Sequence, residues 1–112
     1  MTHGGAVRFH PIMKLEIRGE TLCISEIKEL STANFDDFRN QARATMTPAQ
    51  KDIDIDLSQT LFIDSCGLGA LISLLKTACD RNGTVRLLHP TPPIQQILEL
   101  TRMHRIFEIV KH

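Results

Sequence analysis

The segment from Asp52 to Asn82 constrains the fold more than any other part of the chain. In "DIDIDLS", Ile53, Ile55 and Leu57 alternate with Asp52, Asp54 and Asp56, the period of a strand with one buried and one wet face. A parallel strand covered by helices on both sides reads instead as a continuous apolar run. The alternation therefore predicts a sheet with helices on one side and a wetter second face. Further on, "LFIDSCGLGALISLL" opens with an apolar run that stops at Asp64, Ser65 and Cys66, and resumes around two glycines flanking Leu68. The spacing of Leu68, Leu71, Ile72, Leu75 and Ala78 or Cys79 predicts a helix from Ser65 to about Asn82, stopped by Asn82-Gly83.

The remaining elements fit around this unit. Leu15 and Ile17, then Leu22 and Ile24, alternate with polar neighbours and predict strands over Met13 to Arg18 and Thr21 to Ser25, joined at Gly19-Glu20. Phe35, Phe38, Ala42 and Met46 recur at helical spacing, predicting a helix from Ser31 to Thr45 capped by Ser31 or Thr32 and ended by Pro48. "TVRLL" reads as a strand. Thr91 caps a further helix opened by Pro92 and Pro93, with Ile94, Ile97, Leu98 and Met103 facing inward, and "RIFEIV" closes the chain as a strand. Residues 1–11, with two Gly, two His and a Pro, carry no periodicity and are expected to be a flexible tail; residues 12–112 form one domain. The order β-β-α-β-α-β-α-β predicts an α/β domain with a mixed sheet of four to five strands and helices mainly on one face.

Composition removes several classes of function. The 112 residues carry 13 basic and 13 acidic side chains, which gives neither a nucleic-acid footprint nor a polybasic membrane patch. Without Trp or Tyr, base-stacking platforms are missing apart from the five Phe. Cys23, Cys66 and Cys79 are odd in number and form no Cys-x-x-Cys pair, which argues against a disulfide framework or a metal site and for a reducing compartment. No apolar run reaches bilayer length and the polar start has no signal-peptide core, so the expected location is the cytoplasm. No motif calls for a cofactor.

The polar corner admits four readings: nucleophile, phosphate cradle, modification site, or simple helix cap. A nucleophile elbow needs glycine two residues before the serine, where Ile63 stands, and no motif pairs His3, His10, His89, His104 or His112 with an acid. "GLG" lacks the third glycine of a dinucleotide fingerprint. Cys66 at a helix start has no basic partner to lower its pKa and reads as a small residue in a tight corner. The enzyme readings thus recede. Ser65 in the first helical turn, where backbone amides lack intrahelical acceptors, could carry a phosphate of about −1.5 to −2 charges without unfolding the domain. Asp64 or Ser65 acting only as a cap accounts for the same residues.

"DLSQTLFIDSCGLGALISLLKTACDRNG" resembles the signature of STAS domains, and more narrowly of bacterial anti-anti-sigma factors (anti-sigma factor antagonists), with similarity from about Met13 to Val110. The resemblance implies the α/β fold already read from the alternation. It also implies a partner switch. The unmodified protein binds an anti-sigma factor with GHKL-type serine kinase activity and frees a sigma factor. The kinase then phosphorylates the serine after the motif aspartate, here Ser65, and a PP2C-type phosphatase reverses this. By the same resemblance Asp64, Ser65, Cys66, Gly67, Leu68 and Thr32 contact the partner.

The chain departs from the family pattern in three places. Cys66 replaces the usual Ser or Thr. "SEIKELSTA" keeps Thr32 and Ala33 but offers Glu29 or Lys28 where the family has Asp. Arg102 stands where many members have Gly near a helix end, so it either avoids the left-handed conformation or bears strain there. The altered early loop leaves a second reading open: a non-switching STAS adaptor in a transport or stress-signalling complex.

Overall fold

The computed structural model describes residues 6–10 and 12–111. Strands β1 (Ala6–His10), β2 (Met13–Arg18) and β3 (Thr21–Ser25) form an antiparallel meander, followed by the short β4 (Glu29–Leu30) and helix α1 (Phe35–Thr45). Then come β5 (Asp52–Asp56), the short β6 (Phe62–Ile63), α2 (Ser65–Asp80), β7 (Val85–Leu88), α3 (Pro92–Leu100), a single 3-10 turn (Met103–Arg105) and β8 (Glu108–Val110).

The β2–β3 hairpin forms where the alternation places it. Leu15 lies opposite Ile24 and Ile17 opposite Leu22, and Gly19 turns the chain at a φ of +60°, which side chains rarely adopt. From β3 onward each strand is joined to the next in the sheet by a helix and runs parallel to it: Leu22 pairs with Ile53, Ile55 with Leu87, and Leu87 with Ile109. The strand order β1-β2-β3-β5-β7-β8 never doubles back after β3. Right-handed crossovers that all advance the same way put every connecting helix on one side of the sheet. The core lies between them, with Leu15, Leu22, Ile24, Ile53, Ile55 and Leu87 packed against Phe38, Leu71, Leu74, Ile94 and Leu98.

The opposite face is open and charged, as the Asp alternation implies. It carries Lys14, Glu16, Arg18, Asp54 and Arg86, with Arg86 gripping Asp54 through Nε–Oδ1 at 2.9 Å and Nη2–Oδ2 at 2.6 Å. Paired in this way, Asp54 tolerates burial to 8% exposure in the middle of the sheet.

Several expectations need correction. The tail predicted for residues 1–11 is instead a sixth strand over residues 6–10, paired antiparallel to β2; residues 1–5 and 11 lie outside the described residues. Val7 and Phe9 give no burial signal because they face outward at 50% and 71% exposure, Phe9 beneath the Lys14 ammonium. The first helix begins at Phe35, not Ser31, because residues 31–34 form a turn: the Ser31 carbonyl accepts from the amides of Asn34 and Phe35, and Asn34 Oδ1 accepts from the Ser31 amide. On α2 the buried stripe is Gly67, Ala70, Leu71, Leu74 and Ala78, leaving Ile72 and Cys79 exposed. The last strand is shortened to Glu108–Val110, since Met103 to Arg105 curl into the 3-10 turn that buries Phe107. Arg102 adopts the left-handed conformation at φ 61° and ψ 21°, answering the question posed by its sequence position.

Candidate functional site

Two short strands build the corner where α2 begins. β6 pairs in parallel with β4, Leu30 opposite Ile63, and buries both side chains. This brings the β4 backbone against the first turn of α2: the Asp64 amide donates to the Leu30 carbonyl at 3.2 Å. Gly67 makes the approach possible, because a Cβ there would sit 2.0 Å from that same carbonyl oxygen.

Asp64 is the N-cap of α2 and ties three segments together. Its Oδ1 accepts from the Gly67 amide at 3.0 Å, while Oδ2 accepts from the Thr32 amide at 2.9 Å and the Thr32 hydroxyl at 3.0 Å. These donors favour the charged form, so the carboxyl is held below the ordinary aspartate range, first by the Thr32 amide and then by that of Gly67. Thr32, expected as a cap of the first helix, instead bridges to the start of the second. Its hydroxyl also lies 3.4 Å from Cys66 Sγ.

Ser65 follows this committed carboxylate and is exposed, with a side chain that makes no hydrogen bond among the described residues. Of the other residues assigned to the site from the sequence, Thr32 is exposed; Asp64, Cys66 and Leu68 are half-buried, and Leu68 leans on the core. Gly67 is buried beneath Leu30. The corner thus brings all six residues together but offers Ser65 and Thr32 most openly.

The sequence reading missed the apolar surroundings. Leu61 and Phe62, just before the corner, are 68% and 51% exposed, and Ile72 on α2 is 40% exposed. Ser65, Gly69 and Ile72 are spaced i, i+4, i+7 and share the outward face of the helix. A Cβ on Gly69 would meet nothing within 4 Å. A helix with more apolar residues than one stripe can bury was the available signal for Ile72. Among the described residues no cluster of three or more His, Cys, Asp or Glu could hold a metal ion, and no helix is long and apolar enough to cross a membrane.

A Thermotoga maritima protein assigned as an anti-sigma factor antagonist is 31% identical over 75 residues, which is 67% of this chain and 60% of the relative, so under two thirds of that relative is spanned. A crystal structure of a Thermotoga maritima protein with the same assignment superposes with a TM-score of 0.82 at 22% identity, covering 91% of this chain and 88% of that one. The anti-sigma factor antagonist SpoIIAA in its unphosphorylated form gives a TM-score of 0.74 at 20% identity over 89% of each chain. The phosphorylated form from Bacillus gives 0.68 at 20% identity, over 89% of this chain and 92% of that one. These structural likenesses establish a shared fold. The STAS domain profile matches residues 13–112, nearly the full length, and on that match the chain belongs to the STAS domain family.

Proposed function

We propose that this chain is an anti-sigma factor antagonist switched at Ser65. In the cytoplasm the unmodified chain docks on an anti-sigma factor with GHKL-type serine kinase activity, which releases a sigma factor. The kinase transfers the γ-phosphoryl group of ATP to Ser65 Oγ, with loss of the hydroxyl proton and departure of ADP, and the complex separates. A PP2C-type phosphatase hydrolyses the ester and restores the docking form. The chain is the substrate of these reactions and catalyses none of them.

The observation that carries this reading is the exposed Ser65 hydroxyl at the start of α2, which makes no hydrogen bond among the described residues and is set among exposed apolar residues beside a carboxylate that already accepts three hydrogen bonds. A phosphate there adds about −1.5 to −2 charges. The helix dipole offsets only ~0.3–1 kcal/mol for a charge at an exposed site. No Lys or Arg lies between Leu61 and Ala70 to neutralise the rest. The fold tolerates the group because it points into water. A partner covering Leu61, Phe62 and Ile72 would have to strip water from that charge, at a cost of several kcal/mol. The switch therefore acts on association. SpoIIAA, which shares the fold, has been solved in both phosphorylated and unphosphorylated forms, as a switched relative would be.

Incubation with the candidate kinase and ATP should raise the intact mass by one phosphate, and Ser65→Ala should abolish the gain. Ser65→Asp should bind the kinase more weakly than the unmodified chain. Equal affinity for Ser65→Asp and wild type would overturn the switch and fit the non-switching adaptor instead.

A further inference from the structure

The sheet ends at β1 in an edge with a definite pattern. Two-residue turns separate His10 from Met13 and Arg18 from Thr21 in the register, and the residues that close such a turn exchange backbone hydrogen bonds. Counting back from these pairs, Ala6, Arg8 and His10 aim their amides and carbonyls at β2. Val7 and Phe9 aim theirs away from the sheet, where they meet no backbone partner among the described residues. Such an edge is a template for another strand.

None of the usual devices blunts it. The register from Ala6 opposite Ile17 to His10 opposite Met13 is unbroken by a bulge, and the strand holds no proline. Its one permanent charge, Arg8, lies on the helix side of the sheet, where the guanidinium donates to the Gln41 side chain of α1. Val7 and Phe9 stand on the open face at 50% and 71% exposure. The other edge is better protected: β8 has only three residues and begins at the exposed Glu108.

We propose that β1 pairs antiparallel with β1 of a second copy of this chain, about a two-fold axis that sets Arg8 opposite Arg8. This register puts Val7 opposite Phe9 of the second copy, and Phe9 opposite its Val7. The outward amides and carbonyls of both strands are then all bonded. On the open face the same register makes two pairs of an aromatic with a β-branched side chain, a favourable cross-strand combination. The edge thus matches itself in backbone and side chains alike, which selects a second copy over an unrelated strand. Thirteen basic and thirteen acidic side chains leave no net charge to hold two copies apart. Pairing of β1 with β8 of another copy would run head to tail and leave open ends, whereas the two-fold contact closes at two chains. Arg8 alone meets its own kind, and its bond to Gln41 draws each guanidinium back over its own helix. A contact along one strand edge is small, so the dimer belongs to the weak class.

The test is sedimentation equilibrium of the full chain from micromolar to millimolar concentration, where the average mass should climb toward that of two chains and stop there. Val7→Pro removes an outward amide while sparing the bonds to β2, a place where an edge strand accepts proline, and should weaken the dimer about tenfold or more. Arg8→Glu gives a second measure that needs no loss of structure. Because residue 8 opposes itself, an equal mixture of Arg8→Glu and wild type should dimerise about fivefold more tightly than either alone, unlike charges replacing like ones across the strands. Ile72→Ser, at the apolar corner around Ser65, should leave the dimer as it is. A chain that stays monomeric at millimolar concentration, undiminished dimerisation of Val7→Pro, a mixture no tighter than its two components, loss of the dimer in Ile72→Ser, or growth beyond two chains would each overturn the proposal.

Discussion

Asp64 and Thr32, separated by 32 positions, are joined by two hydrogen bonds onto a single carboxylate oxygen, at 2.9 Å from the amide and 3.0 Å from the hydroxyl. The same carboxylate caps α2 through Gly67. The loop before α1 and the start of α2 are therefore one rigid corner, and any partner that reads Ser65 meets Thr32 in a fixed place. The donors bond more strongly to the ionised acid than to the protonated one, the Thr32 amide first and then that of Gly67, which is why its pKa is depressed on folding. A carboxyl with a lowered folded pKa contributes stability that is full above its unfolded value, ~3.9 for Asp, and is lost as pH falls below it through the folded pKa. Asp64→Ala should accordingly lower the urea midpoint at pH 7, and the gap to wild type should close as the pH is taken down through that window. A gap unchanged down to pH 2 would mean that the carboxylate's charge is irrelevant.

The two glycines of the corner should answer to different masters. Gly67→Ala drives a Cβ into the Leu30 carbonyl at 2.0 Å, backbone that cannot step aside without parting β4 from β6. It should destabilise the domain by about 3 kcal/mol or more, in the range of severe overpacking. Gly69→Ala meets nothing within 4 Å on an exposed helix face. There alanine should stabilise the fold by ~0.5–1 kcal/mol, the usual difference between the two in a helix. If the outward face of α2 is where the proposed partner comes close, Gly69→Ala should nonetheless bind that partner less tightly. Urea denaturation and a binding titration on the same preparation separate the two effects.

These contrasts show what local patterns can and cannot carry. β2, β3 and β5 were legible because half-buried strands alternate, and the start of α2 because a polar corner interrupts an apolar run. β1 was not, since Val7 and Phe9 lie on the open face and leave no burial pattern. β4 and β6 are two residues each, too short for any period to show. Ser65 and Asp64 could be singled out by type and position. The bridge from Thr32 could not, because a hydrogen bond across 32 residues has no local signature, and Thr32 looked like a cap for the nearer helix.

On the open face, Arg86 holds a carboxylate that is otherwise buried in mid-sheet, Asp54 being 8% exposed. Arg86 itself is 43% exposed, so water screens part of the pair. Arg86→Ala leaves Asp54 desolvated without its partner and should cost about 2 kcal/mol in urea unfolding. The double variant Asp54→Val/Arg86→Leu removes both charges and should recover most of that loss. A single-variant cost below ~0.5 kcal/mol would place the pair among ordinary surface ion pairs.

The three cysteines offer a chemical check on the same face. Cys23 lies opposite both Glu16 and Asp54 in the sheet, and its thiol is pushed above the ordinary range, first by burial and then by the Asp54 charge. The reactive species toward iodoacetamide is the thiolate. At neutral pH the exposed Cys79 should therefore be alkylated well before Cys23, and the Cys23 rate should go on rising with pH beyond the usual thiol range. Asp54→Asn removes a negative charge that opposes the thiolate while leaving the side chain's size nearly unchanged. It should speed Cys23 modification at pH 8 and leave the Cys79 rate as it was. Peptide mass mapping of a timed reaction distinguishes the sites. Equal acceleration at both cysteines would show that the substitution had loosened the fold and that the electrostatic account of Cys23 is wrong.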